Sequence, residues 1–110
     1  MTKYLQATIL KVANIHYTLH SIPFEWDSQK AAVNFHKHTI SFEVACEAFF
    51  DPFVSYLGDE EVDGELRETI IGLTAKWQLL YVVYVTRGES IRIISARLVT
   101  NVERGIYENQ

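Results

Sequence analysis

An α+β fold, two N-terminal helices packed on a mostly antiparallel four- to five-stranded sheet with a short C-terminal helix, follows from three features of this 110-residue chain. Asp27-Ser28 offers side-chain oxygens just before a stretch with helical spacing, so either residue can cap the exposed amides of a first turn. The run Leu79-Leu80-Tyr81-Val82-Val83-Tyr84-Val85 is apolar on both faces, as a central strand must be. Tight turns at Ala75-Lys76 and Gly88-Glu89 then join three strand-like runs into a meander.

Taken in order, residues 1–20 form an N-terminal extension to a domain spanning residues 21–110. Within the extension Leu5, Ile9, Val12 and Ala13 have helical spacing, whereas Ile15, Tyr17 and Leu19 alternate as in a strand. A short helix or irregular arm is expected first, then one strand from about His16 to Trp26, with Pro23 marking a break or an edge. A helix over Gln29–Lys37 brings Ala31, Asn34, Phe35 and His38 close to one face, with Lys30 and Lys37 beside them. Ser41 opens a second helix whose stripe is Phe42, Ala45, Cys46, Phe49 and Phe50, and Asp51-Pro52 stops it. A short strand Phe53–Leu57 and a polar loop Gly58–Gly64 lead into strands Leu66–Thr74, Trp77–Arg87 and Ser90–Val99. A helix over Thr100–Tyr107, capped by Thr100 or Asn101, closes the chain.

The length suits one domain with one core. Apolar residues make up 48% of the chain, and it holds six Tyr, six Phe and two Trp, which argues against disorder. The single Cys46 excludes an internal disulfide and fits a reducing compartment. No leader pattern is visible near the start, and no apolar run is long enough to span a bilayer, so a cytoplasmic protein without a membrane partner is expected. The net charge of −4 is awkward for a nucleic-acid binder. The acids are uneven, however: Asp59, Glu60, Glu61, Asp63 and Glu65 crowd one segment, while Arg87, Arg92, Arg97 and Arg104 gather late. A basic face on an acidic molecule is compatible with that distribution.

Arg92 and Arg97 stand five residues apart in Ile91–Arg97, an odd spacing that sends them to opposite faces unless the strand bends or ends. Together with Phe24-Glu25-Trp26-Asp27, Lys30, Asn34, Lys37-His38, Ile40-Ser41-Phe42-Glu43, Ala45, Asp51-Pro52, Glu103-Arg104 and Tyr107-Glu108, this stretch resembles the BrnT family of bacterial toxins. The resemblance runs from Phe24 to about Glu108. It implies a RelE-like fold and a small ribonuclease of a type II toxin–antitoxin system. It also implies a DNA-binding BrnA-type antitoxin, a heterotetramer with that partner and repression of their own operon.

Metal-free cleavage of RNA uses the 2′-hydroxyl of the substrate as nucleophile. The enzyme must take that proton, offset charge on the phosphate and help the 5′ oxygen leave. Positions matching the family pattern supply suitable groups. Arg67 and Arg97 are candidate phosphate holders, because a guanidinium offers a planar two-pronged grip. His38 or Glu65 is the candidate proton carrier, while Lys30, Lys37 and Arg92 are candidate RNA contacts. Each has a plainer structural alternative: a cap or core hydrogen bond for His38, a surface ion pair for Glu65 and Arg67, solvated helix positions for the lysines. Trp26 could stack on a base but suits the core better. His16 with His20, and His36 with His38, make only a weak metal-binding pattern, so no metal or other cofactor is expected.

The chain departs from the family pattern at four positions. Thr39 stands where glycine is common, Val62-Asp63 where a His-Ser pair is frequent, and Gln78 where arginine often precedes the central strand. These changes leave open a second reading, a catalytically weakened binding subunit that pairs with a DNA-binding partner. A third is a structural domain with no nucleic-acid contact.

Overall fold

The computed structural model describes residues 13–110; the helical spacing of Leu5, Ile9 and Val12 falls outside them. Six strands form one mixed sheet in the order β1-β2-β6-β5-β4-β3. The strands are β1 (Asn14–Leu19), β2 (Ile22–Asp27), β3 (Ser55–Val62), β4 (Glu65–Leu73), β5 (Leu79–Arg87) and β6 (Ser90–Leu98). Helices α1 (Ser28–His38) and α2 (Phe42–Glu47), with a 3₁₀ turn at Ala48–Phe50, lie between β2 and β3, and α3 (Asn101–Glu108) ends the chain.

This corrects the expected four- to five-stranded, mostly antiparallel sheet with two helices at its start. A hairpin precedes the helices, and β2 runs parallel to β6 through Phe24↔Ile91 and Glu25↔Arg92. The single strand expected over residues 16–26 is folded back at His20 and Ser21, both left-handed at φ 50° and 68°. Such a pair makes the tight turn whose twist suits a hairpin. Pro23 sits opposite Thr18 inside β2, beyond the short contact with β6, where its missing amide costs no second ladder bond.

The expected polar loop at 58–64 is likewise mostly strand. β3 continues through Asp59-Glu60-Glu61 to Val62, and the turn is Asp63-Gly64, both at positive φ. The acids belong there because β3 is a sheet edge, where charge discourages pairing with foreign strands.

Alternation gives the sheet two unlike faces. One packs under α1, α2 and the 3₁₀ turn through Phe24, Trp26, Ile70, Leu80, Val82, Ile93 and Ala96, all at most 5% exposed. Trp26 meets the edge of Phe42 at 5.8 Å, so it is core rather than a stacking platform. Gly72 lets the 3₁₀ turn settle on β4, since a Cβ there would stand 2.2 Å from the Ala48 carbonyl oxygen. Cys46 is fully buried, and burial pushes its thiol pKa up. The other face, mostly open, carries the candidate site. Among the described residues, no helix is long and apolar enough to cross a membrane.

Candidate functional site

Where β6 leaves β2 after Arg92, its backbone needs other partners. Asn34 on α1 supplies them at 6% exposure. Its side-chain oxygen accepts from the Ala96 amide at 3.1 Å. Its amide nitrogen donates to the Ala96 carbonyl at 2.9 Å and the Ile40 carbonyl at 3.1 Å. The side chain thus acts as a short neighbouring strand, and α1 becomes a wall beside the open face of β6. Asp27, whose carboxylate accepts from the Gln29 and Lys30 amides, fixes where that wall begins.

Lys30, Asn34, Lys37 and His38 are spaced for one helix face. Lys30, Lys37 and His38 line a groove of about 420 Å³ whose far side is Ile94 and Ser95 of β6. All three are exposed, and none makes an ion pair among the described residues. Phe35, expected close to one face with Ala31, Asn34 and His38, is half exposed. Thr39 ends the helix at φ 61°, the left-handed conformation that glycine adopts without strain.

Ile94 and Ser95 also wall a second hollow of about 360 Å³ over β3, β4 and β5. Arg67, Thr69, Tyr81 and Val83 form its floor, with Glu60 and Val62 at its β3 side. The Nε of Arg67 is buried there without a hydrogen-bond partner among the described residues. A buried donor left unpaired costs about 1–3 kcal/mol.

The remaining candidates are engaged. A bulge between Val83 and Tyr84 shifts the β5–β6 register, so Arg92 faces Val85 and Arg97 faces Tyr81. Both arginines therefore share the open face despite their odd spacing. Arg97 lies 4.0 Å over the Tyr81 ring and grips Glu103 of α3 at 2.8 and 3.0 Å. That two-pronged bond holds the Arg97 pKa up and the Glu103 pKa down. Glu103 also accepts from the Thr100 amide, completing the α3 capping box. Arg92 donates to Glu25 and Asn14, both at 2.7 Å. Glu65 holds Arg87 at 2.7 Å near the end of the β4–β5 hairpin.

The structure thus brings Lys30, Lys37 and His38 together and sets Arg67 next door. It leaves Glu65 and Arg92 in ion pairs elsewhere. Sequence reasoning missed Tyr81, Ser95 and Glu60. The odd arginine spacing was the available signal, because a bulge that reunites those arginines also places Ser95 and Tyr81 on their face. His20 meets Phe50 edge-on at 4.9 Å, and no group of three or more His, Cys, Asp or Glu suited to a metal occurs among the described residues.

Comparison with known proteins adds a family to this geometry. A search of the curated proteins finds no match. Among solved structures, the Brucella abortus ribonuclease toxin BrnT is similar, with 21% identity over 69% of this chain and 94% of that one and a TM-score of 0.47. The family model for BrnT, ribonuclease toxin of type II toxin–antitoxin systems, matches residues 26–103, well over half of the sequence. The chain belongs to the BrnT family of type II ribonuclease toxins.

Proposed function

We propose that this protein is the toxin of its pair, a metal-independent endoribonuclease that cuts mRNA in the cytoplasm and is silenced by a cognate antitoxin. The observation that carries the reading is the α1 groove, where two lysines and a histidine, without ion-pair partners among the described residues, face one strand. RNA laid along it would meet positive charge from Lys30 and Lys37, while His38 accepts the proton of the attacking 2′-hydroxyl. The 2′ oxygen bonds to phosphorus, the 5′ oxygen leaves with a proton, and the products carry a 2′,3′-cyclic phosphate and a 5′-hydroxyl. Arg67 contacts the RNA beside the scissile phosphate. Arg97 reaches it once Glu103 lets go. Glu65 and Arg92 take structural roles. The antitoxin is a BrnA-like DNA-binding protein, the pair a heterotetramer.

The test is purified protein on single-stranded RNA in the presence of a chelator. Cleavage with cyclic-phosphate ends is expected, and it should vanish in His38→Ala and in the Lys30→Ala, Lys37→Ala double variant. Growth should stop on expression of the toxin alone and resume with its partner.

A second reading, a weakened subunit that only binds its partner, draws on two observations. Arg97 is already neutralised by Glu103, and Val62 faces the Arg67 hollow where the family pattern often has histidine. Intact RNA together with normal complex formation would favour it.

A further inference from the structure

The hollow beside the α1 groove is poorly suited to a phosphate. Glu60 stands directly opposite Arg67 in the β3–β4 register, on the same face, and both line the hollow. A carboxylate in that place repels an anion. The two side chains nevertheless form no ion pair with one another, and the buried Arg67 Nε has no hydrogen-bond partner among the described residues. A cation and an anion that line one hollow without pairing, each with unused hydrogen-bonding capacity, suit a neutral ligand that offers an acceptor next to donors.

We infer that this hollow reads a guanine base. The inference rests on the ribonuclease reading and assigns the base adjoining the bond to be cut. Guanine alone among the four RNA bases presents two parallel N–H donors, N1–H and the exocyclic amine, which a carboxylate accepts with both oxygens. Its O6 and N7 are the acceptors an arginine takes most often. Adenine and cytosine place a ring-nitrogen acceptor where Glu60 needs a donor, and uracil offers one donor between two carbonyls. At about 360 Å³ the hollow falls within the usual size of small-molecule sites, roughly 300–1,000 Å³. Val62 and Val83 give it apolar walls, as a splayed base requires. Ser95 and Ile94, shared with the groove, set base and phosphate side by side. The acidic residues that count against RNA binding in the sequence thereby gain a role, since Glu60 selects a base and does not face the backbone.

The experiment uses 2′-O-methyl tetranucleotides, which cannot be cleaved, differing at one position and titrated into the full chain. Binding of the G-containing member about tenfold or more tighter than the A, C and U members is expected. Glu60→Gln should erase that preference, weakening the G-containing member about tenfold relative to the other three. Glu60 lies exposed on an edge strand, so the isosteric change should not disturb folding. Equal binding of all four oligonucleotides, or of none, overturns the inference, as does a G preference that survives Glu60→Gln. Cleavage of ordinary RNA is scored separately. Turnover without a G preference removes the pocket and leaves the ribonuclease, whereas a G preference without turnover does the reverse.

Discussion

The two helices that flank the open face treat their cations in opposite ways. α1 presents Lys30, Lys37 and His38 to a groove with no ion-pair partner among the described residues. α3 presents Glu103, which captures Arg97 in two hydrogen bonds and keeps it over the Tyr81 ring. The difference arises from how each helix is anchored. α1 is fixed by a neutral amide, Asn34, so its charged residues remain available. α3 is fixed by charge: Glu103 on Arg97, and Asp51, which accepts from Tyr107 and from the Leu73 and Phe53 amides. A helix anchored by neutral hydrogen bonds can carry a binding surface, whereas one anchored by ions consumes it.

The contrast can be broken most severely at His38. If it is the proton carrier, His38→Ala should lower RNA cleavage by about 10²–10⁴-fold with little change in stability, measured as kcat/KM alongside urea melts. A comparable loss of stability would instead reveal a structural residue. Next comes the anchor itself. Asn34→Ala leaves a buried amide and two carbonyls without partners, at about 1–3 kcal/mol for each such group, so destabilisation of roughly 3 kcal/mol or more is expected in urea unfolding.

Acid should sharpen the comparison by acting on α3 first. Burial opposes the charge on Asp51, but hydrogen bonds from Tyr107 and from the Phe53 and Leu73 amides outweigh it and hold its pKa below the usual carboxylate value. Glu103 is lowered mainly by its bond from Arg97. A carboxylate whose pKa falls on folding adds stability above its unfolded pKa and loses that contribution as pH drops through the folded one. Amide exchange in α3 should therefore accelerate below the ordinary carboxylate range while α1 stays protected. Glu103→Gln should mimic the acid effect at neutral pH and leave Arg97 free.

The smallest effect lies at the end of α1. Thr39→Gly relieves a left-handed β-branched residue and should raise stability by at most about 1 kcal/mol, read from the urea midpoint. If stability falls, the assumed strain at Thr39 is absent.

Much of this design was legible from local chemistry. Asp27 and Thr100, each one of two cap candidates in the sequence, cap α1 and α3, Ser41 caps α2, and Leu79–Val85 lies in β5, one of the two central strands. What stayed hidden depends on distant partners. Asp59-Glu60-Glu61 reads as a loop because polarity looks the same in a turn and on a sheet edge, although Asp63-Gly64 was an overlooked hairpin signal. His20-Ser21 carries no glycine, so nothing marked it as a left-handed turn. Arg92 and Arg97 could not be assigned a common face without the bulge, which is a property of the β5–β6 pair rather than of either strand. Asn34 was visible as a helix residue, but its bond to Ala96 spans sixty-two positions.

The same bond has a bearing on how copies of the protein meet. Left bare, the stretch of β6 beyond Arg92 would be an unprotected template in the middle of the sheet, ready to recruit a strand from another molecule. With α1 sealing it, the borders left for such recruitment among the described residues are those at β1 and β3. Two molecules abutting at β3 would set Asp59, Glu60 and Glu61 against their own counterparts, so self-polymerisation through that border is electrostatically discouraged.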